Sequence, residues 1–446
     1  MLSDSNREIR QAADSALAEF LRETKLSAVV EFGPMVAILV GQCNSKERFN
    51  RLTAINWVQE FINLGGDRLV LFYSDMLGAI MHCISDSDPE IRAVAELTNQ
   101  DLLALVSGTV KDFELSPLLR TLIRELTSHH IPTRVAALRW IDMLLQKQAE
   151  EMNKFIGELL PALLKTLSDD SDDVVLMNLK VLARISLHEV EFQRVLNEIL
   201  ALFASDRRLL ETRGSLIIRR LCVSLNAKSI YISLAASLHR SLDLEFASIM
   251  VQTLNLILLT AHELGELRSL LKHSFEASAS SADRQVFTQL FACWCHNPVA
   301  TLSLCLLAQA YDLSACLVQK FAEVEITVGF LMQIDKLVQL LESPIFVQLR
   351  LQLLEVDAAY HAALLKSLYG LLMLLPQSTA FKTLKDRLAT VSSLQHHLAA
   401  PPTQTASRAA KENFDEILKT FEEVQERHAR ARQEALSSRS LKHEDK

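Results

Sequence analysis

Apolar residues return at helical spacing through the first half of the chain. Ile9, Ala12, Ala16, Leu17 and Phe20 fall on one face, as do Thr53, Trp57, Val58 and Phe61, then Ala136, Trp140, Ile141 and Leu144, then Met177, Val181, Leu182 and Ile185. Each set predicts an amphipathic helix with one buried side. A second helix follows each of them, opened by a proline or a capping residue: Pro34 in "GPMVAILV", Ser74 in "SDMLGAIM", Pro117 in "SPLLRTLI" and Pro161 in "PALLKTL".

The segments that lead into the first helices are copies of one another. "LSDSNREIRQAADSAL" starts at Leu2, "CNSKERFNRLTAINWV" at Cys43, "ISDSDPEIRAVAELTN" at Ile84, "LTSHHIPTRVAALRWI" at Leu126 and "LSDDSDDVVLMNLKVL" at Leu167. Superposed, they align Ile9, Asn50, Ile91, Thr133 and Val174, which are 41, 41, 42 and 41 residues apart. Arginine comes next in four of the five (Arg10, Arg51, Arg92, Arg134), Val175 in the other, and a weaker sixth copy puts Arg213 there. Two helices per unit of roughly 40 residues make a HEAT-type α-solenoid. The array starts in mid-register without a polar cap, as expected of a piece or short isoform of a longer solenoid, or of a first helix that stacks on a partner.

Taken alone, "SDSDPEIR" has the acidity of a metal loop. The EF-hand pattern needs Gly at its sixth place and Glu at its twelfth, and here Pro and Ile stand where oxygen ligands belong. The same residues suit a helix start, with Ser and Asp as caps, Pro89 in the first turn and Glu90 beside the helix dipole. In HEAT arrays the Asp and Arg of such turns form a ladder between repeats. Asp4 with Arg10 and Asp86 with Arg92, each six apart, together with Arg51 and Arg134, are its expected members; direct contact with a partner is the alternative.

Composition agrees with an all-α chain, since hydrophobic residues reach 49% while aromatics are 6%, with 11 Gly and 10 Pro in 446 residues. A net charge of -8 argues against a generic nucleic-acid binder. Seven cysteines, scattered singly apart from Cys293 and Cys295, read as reduced thiols of a cytosolic protein. No apolar run approaches the ~18 residues of a membrane span, so a soluble chain with only peripheral membrane contact is expected.

The register fades after about residue 240, although amphipathic helices continue. The expected divisions are a solenoid over 1–240, a helical C-terminal domain over 241–395, and a tail over 396–446. Within the tail "PPTQTAS" from Pro401 is a linker, and Phe414, Ile417, Leu418, Phe421 and Val424 share one helical face. That helix is either an arm seeking a partner or one that folds back on its own domain, with folding back favoured. The closing "SSRSLKHEDK" is expected to be disordered.

No catalytic or cofactor signature is present: no Gly-rich phosphate loop, no H-E-x-x-H, no G-x-S-x-G, no kinase motif. "CWCHNP" groups Cys293, Cys295 and His296, but zinc favours C-x2-C and a second ligand pair, so buried thiols at a helix end are expected instead. The densest basic stretch holds Arg207, Arg208, Arg213, Arg219 and Arg220, which could meet an acidic partner or anionic headgroups; a solvated repeat face carries more weight. No cofactor is expected.

From Trp294 onward, "WCHNPVATLSLCLLAQAY", "DKLVQLLESPIFVQLRLQLLE" and "LYGLLMLLPQSTAFKTLKDRL" resemble the C-terminal domain of the vacuole-morphology scaffold family, which organises a PIKfyve-type phosphatidylinositol 3-phosphate 5-kinase and its opposing Sac-domain phosphatase. The earlier copies resemble that family's later HEAT repeats. The resemblance implies a non-enzymatic platform on endosomal or vacuolar membranes that controls phosphatidylinositol 3,5-bisphosphate. It implies that the C-terminal domain binds the phosphatase and self-associates as a homo-oligomer, and that the solenoid engages the kinase. It directs attention to Tyr311, Asp335, Lys336, Arg350, Tyr369 and Phe381 as partner-binding residues. Relatives extend beyond this N-terminus with more repeats, and "VDAAYHAALLKS" lacks the family's proline turn, so the loop near Tyr360 is expected to differ. The competing reading is a transport adaptor that carries cargo on its concave face.

Overall fold

The structure is a computed structural model that describes residues 6–26, 30–276, 279–398 and 408–444. Asp4 and the linker from Pro401 lie outside the described residues. All regular structure among the described residues is helical, and the chain divides into two compact units, Met1–Ile199 and Leu200–Lys446.

Unit 1 contains α1 (Arg7–Leu26), α2 (Phe32–Cys43), α3 (Arg48–Gly65), α4 (Tyr73–Ile84), α5 (Pro89–Gly108), α6 (Leu115–Glu125), α7 (Ile131–Lys147), α8 (Ala149–Asn153), α9 (Ile156–Thr166) and α10 (Asp172–Ile185); α11 (Glu189–Ser205) crosses the division. Helices α3, α5, α7 and α10 pack in succession as one layer, and α2, α4 and α6 as the other. On three of the four helices the expected stripe fills the space between layers: Trp57, Val58 and Phe61 on α3, Trp140, Ile141 and Leu144 on α7, and Val181, Leu182 and Ile185 on α10 are buried, whereas on α1 Ile9 and Phe20 stay 40% and 50% exposed because that helix ends the array and is covered on one side only. Each large apolar side chain withdrawn from water contributes about 1.5–3 kcal/mol. Asp88 caps α5 by accepting from Glu90 N at 2.8 Å, with Pro89 as the first helical residue, whereas Ser74 is the second residue of α4 and does not cap it. Pro161 behaves otherwise. It lies inside α9, because Ile156, Leu159 and Leu160 are buried and draw the helix start upstream of it.

Unit 2 contains α12 (Arg207–Leu209), a π turn over Leu210–Gly214, α13 (Ser215–Ser224), α14 (Ala227–His239), α15 (Leu244–Thr260), α16 (Gly265–His273), α17 (Ser281–Trp294), α18 (Pro298–Leu307), α19 (Tyr311–Lys320), α20 (Val328–Leu341), α21 (Val347–Gln352), α22 (His361–Leu374), α23 (Thr379–Leu398) and α24 (Arg408–Glu444). Helices α13, α15, α18, α20 and α23 pack in sequence, while α14 packs on α17 and α19 on α22. The two-layer plan therefore continues where the sequence copies fade, and the weak sixth copy lies within this unit. Repeat spacing survives in the contacts. Trp294 Nε1 donates to Asn255 Oδ1 39 residues away, Ser378 Oγ to Asp335 Oδ1 43 away, and Arg387 pairs with Glu342 45 away. The Trp–Asn bond repeats one made in unit 1, where Trp140 Nε1 donates to Asn99 Oδ1 at 2.8 Å across 41 residues.

Helices α19 and α22 approach most closely at Gly370, where a Cβ would lie 2.1 Å from Val318 Cγ1. The chain leaves α18 through Gln309 at φ 60, the left-handed C-cap position, and Ala310 N closes the turn on Cys305 O at 3.0 Å. A non-glycine residue is held there by its side chain, which donates to Lys272 O and accepts from Gln352 Nε2.

The tail helix folds back. Helix α24 packs on α17 and α19, and it runs through Glu444, across most of the stretch expected to be disordered. Its composition explains the difference, because it lacks Gly and Pro and carries pairs such as Glu426–Arg430 one turn apart.

Candidate functional site: interaction surfaces

The repeat arginines are positioned by the first turn of their helices. In α3, Arg51 donates from Nη1 to Ser45 O and Lys46 O, closing its own turn, and from Nε and Nη2 to the Asp86 carboxylate of the next repeat at 2.6 and 3.1 Å. Arg134 in α7 does the same with Ser128 O and, at 2.7 to 2.9 Å, with Asp169. The acceptor is 35 residues on in both cases. Counting 35 from Arg92 reaches Thr127, and Arg92 Nη1 bonds only the carbonyls of Asp86 and Ser87 in its own turn. The separation of six thus reflects an arginine-to-carbonyl bond, while the carboxylate of Asp86 faces the preceding repeat. Burial by itself would raise the Asp86 carboxyl, and the Arg51 guanidinium with the Asp88 N–H outweighs it, holding the group below the usual carboxylate range. Arg10 lies in α1.

The five-arginine stretch is dispersed by the π turn that separates α12 from α13. Arg207 pairs with Asp243 at 3.1 Å and lies 4.7 Å over the Phe246 ring; Arg219 pairs with Glu263 at 2.9 Å; Arg213 is partly buried; Arg208 and Arg220 are exposed.

The six residues singled out in the C-terminal region fall into two groups. Tyr311 is buried, donates to Gln352 Oε1 and lies with its ring tilted 5.7 Å from that of Tyr360; burial and the neighbouring Tyr360 and Glu355 push its phenol up. Arg350 donates to Leu341 O and Ser343 O at the end of α20, and Phe381 is half-buried with its N–H on the Ser378 cap. Asp335 takes bonds from Ser378 and Gln339, Lys336 is exposed, and Tyr369 is 36% exposed with its hydroxyl 2.8 Å from Ser392 Oγ. Sequence reasoning missed the exposed apolar pairs one turn apart: Val328 and Met332 on α20, Val347 and Leu351 on α21, Met373 beside Tyr369 on α22. Met373 is 81% exposed and Val328 75%. The signal was available, because these residues interrupt the polar stripes of otherwise amphipathic helices.

The seat of α24 is the other built surface. Phe414, Ile417, Phe421, Val424 and His428 are three and four residues apart in alternation, a coiled-coil seam. Ile417, Phe421 and Val424 are buried, and Phe414 lies 5.7 Å from Phe275. Gln425 Nε2 donates to Cys295 O at 2.6 Å, and His428 Nε2 lies 3.0 Å from Nδ1 of buried His296. At the rim, Glu422 pairs with Lys320 and Arg432 with Glu325, at 2.8 and 2.9 Å. The thiols of Cys293 and Cys295 are buried and pushed up by that burial, which suits packing and opposes nucleophilic or ligating roles. No cluster of three metal-ligating side chains occurs among the described residues, and no single described helix is long and apolar enough to cross a membrane.

Comparison with known proteins places the chain among relatives. The family model described as "Vacuolar protein 14 C-terminal Fig4p binding" matches residues 207–391, and "EF3 N-terminal HEAT repeat" matches residues 4–176. "Protein VAC14 homolog" of Arabidopsis thaliana is 49% identical over 392 residues, 88% of this chain and 52% of the relative. Its namesake in Schizosaccharomyces pombe is 35% identical over 99% of this chain and 56% of the relative. "Vacuole morphology and inheritance protein 14" of Saccharomyces cerevisiae is 31% identical over 81% and 41%. The chain spans about half the length of the relatives it matches.

Proposed function

This chain belongs to the VAC14 family, and from that premise we propose that it is a non-catalytic scaffold that holds a phosphatidylinositol 3-phosphate 5-kinase beside its opposing Sac-type phosphatase. The observation that carries this reading is the match of residues 207–391 to a phosphatase-binding family model on the part of the chain that exposes Val328, Met332 and Met373. Unit 2 takes the phosphatase and self-associates; the repeats of unit 1 engage the kinase. Tethering raises the effective concentration of each enzyme at the other, which sets phosphatidylinositol 3,5-bisphosphate levels without any reacting group in the tether. Exposed Arg208 and Arg220 are available to anionic headgroups once the complex is on an endosomal or vacuolar membrane. The tagged full chain is expected to co-purify both enzymes from cells. The triple variant Val328→Asp, Met332→Asp, Met373→Asp should keep its helical circular dichroism and lose the phosphatase. Retention of both enzymes after deletion of residues 293–388 would refute the reading.

A further inference from the structure

The five most exposed large apolar side chains among the described residues of unit 1 are Val110, Leu71, Leu26, Val190 and Leu187, at 95, 86, 81, 78 and 69%. All five stand where the first helix of a repeat hands over to its second: Leu26 closes α1, Leu71 precedes α4, Val110 follows α5, Leu187 precedes α11 and Val190 lies in its first turn. The turns at the other ends of these helices, 44–47, 85–88, 127–130 and 168–171, hold no large apolar residue. First helices run one way and second helices return, so the apolar connections share one edge of the unit. Bonds hold neighbouring connections in a row: Thr109 Oγ1 donates to Asp67 Oδ1 at 2.5 Å, and Lys147 Nζ to Val106 O and Ser107 O at 2.7 and 2.9 Å. Between α7 and α9 the corresponding side chain, Phe155, is half-buried.

Charge on this edge is one-sided. Its bases are engaged within the fold: Lys25 pairs with Glu60, Arg68 lies over the Phe32 ring, Lys111 donates to Asp67 O and Lys154 pairs with Glu151. Exposed Glu31, Asp112, Glu114 and Glu150 make no ion pair among the described residues. Packed helices stand roughly 8–10 Å apart, so the apolar tips recur at about that interval. An α-helix laid along the edge returns to the same face every seven residues or so, roughly 10 Å, and keeps step with them. An extended segment returns at roughly 6.6 Å and falls out of step. We propose that this edge of unit 1 is a docking ridge for an amphipathic helix of the kinase, one with apolar residues at heptad spacing and lysines or arginines beside them. An anionic membrane surface would meet the same apolar tips, but the free carboxylates repel it. The proposal rests on unit 1 engaging the kinase and names the surface and the chemistry of the segment it receives.

Two variants of the tagged full chain, each the sole copy in its cells, decide it: an apolar one, Leu71→Glu, Val110→Glu, Leu187→Glu, and a charge one, Asp112→Lys, Glu114→Lys, Glu150→Lys. Every substituted residue is exposed, so both should keep the helical circular dichroism and melting temperature of the unsubstituted chain. Each should co-purify the phosphatase undiminished and the kinase about tenfold less or lower. Kinase recovery by the unsubstituted chain should also fall as salt rises. Kinase kept by either variant overturns the ridge and leaves the role of unit 1 standing, whereas an unsubstituted chain that recovers no kinase overturns both. Flotation with vesicles of phosphatidylcholine and phosphatidylserine tests the membrane. Binding by the unsubstituted chain that the apolar variant loses would assign the edge to lipid and sink the proposal.

Discussion

Arg92 occupies the same place in its repeat as Arg51 and Arg134 but has a different neighbour. Where they reach Asp86 and Asp169, the residue 35 positions beyond Arg92 is Thr127. Arg134→Ala removes an ion pair whose two side chains are only 12% and 10% exposed and leaves Asp169 without its cation. A loss of about 2–4 kcal/mol is expected in chemical unfolding of the full chain, and the same for Arg51→Ala. Arg92→Ala, losing only bonds to carbonyls, should cost about 1 kcal/mol. Equal losses at all three would contradict the pairing described here. The His296–His428 contact makes a second residue-scale prediction. Burial, then the neighbouring ring and Arg427 and His239, lower His296 to about 4; burial with Arg432 and Arg427 lowers His428 to about 4. The folded state therefore stays neutral where the unfolded chain, titrating near 6.5, takes up protons. Stability from this pair is complete above about pH 6.5 and falls as pH drops towards 4. Melting temperatures measured between pH 7 and 4.5 should decline less steeply for His428→Gln than for the unsubstituted protein.

At the scale of elements, helix identity was legible where one stripe is buried, as on α3, α7 and α10, and the period was legible because the turns before these helices and α5 repeat one bond, with Ser45, Asp86, Ser128 or Asp169 accepting from the backbone N–H two residues on. Pro161 and the final helix departed from expectation for local reasons. A proline tolerated near a helix start resembles a proline that makes one, and a charged stretch with no helix breaker can run on when a buried seam anchors its N-terminal half. What the sequence hides is the meeting of two elements. Nothing around Gly370 announces that α22 must come within a methyl group of Val318 on α19. Gly370→Ala is expected to destabilise by about 1–3 kcal/mol, as overpacking does, and Val318→Ala in the same chain should recover part of that loss. Additive losses in the double variant would show that the two positions are not in contact. Asn99→Ala should cost about 1–3 kcal/mol, since it strands the indole N–H of Trp140 in the core; Asn255→Ala, at the half-buried counterpart, should cost less.

For the whole molecule, the repeats explain why the second half of the sequence looks irregular while its structure does not. In unit 1 the repeated geometry is held by similar turn chemistry, whereas in unit 2 it is carried by unlike pairs, a Trp on Asn here, a Ser on Asp or an Arg on Glu there, so no alignment of copies reveals it. The candidate partner residues were legible only through family resemblance. Of the six, Tyr311 and Arg350 are engaged within the fold, while Val328, Met332 and Met373, which the resemblance did not single out, are exposed. The return of α24 also has a consequence in time. A ribosome adds roughly 5–20 residues per second, and 130 residues separate Cys295 from Gln425. Each nascent chain therefore completes the groove on α17 and α19 and holds it open for about 10 seconds before its own closing helix exists.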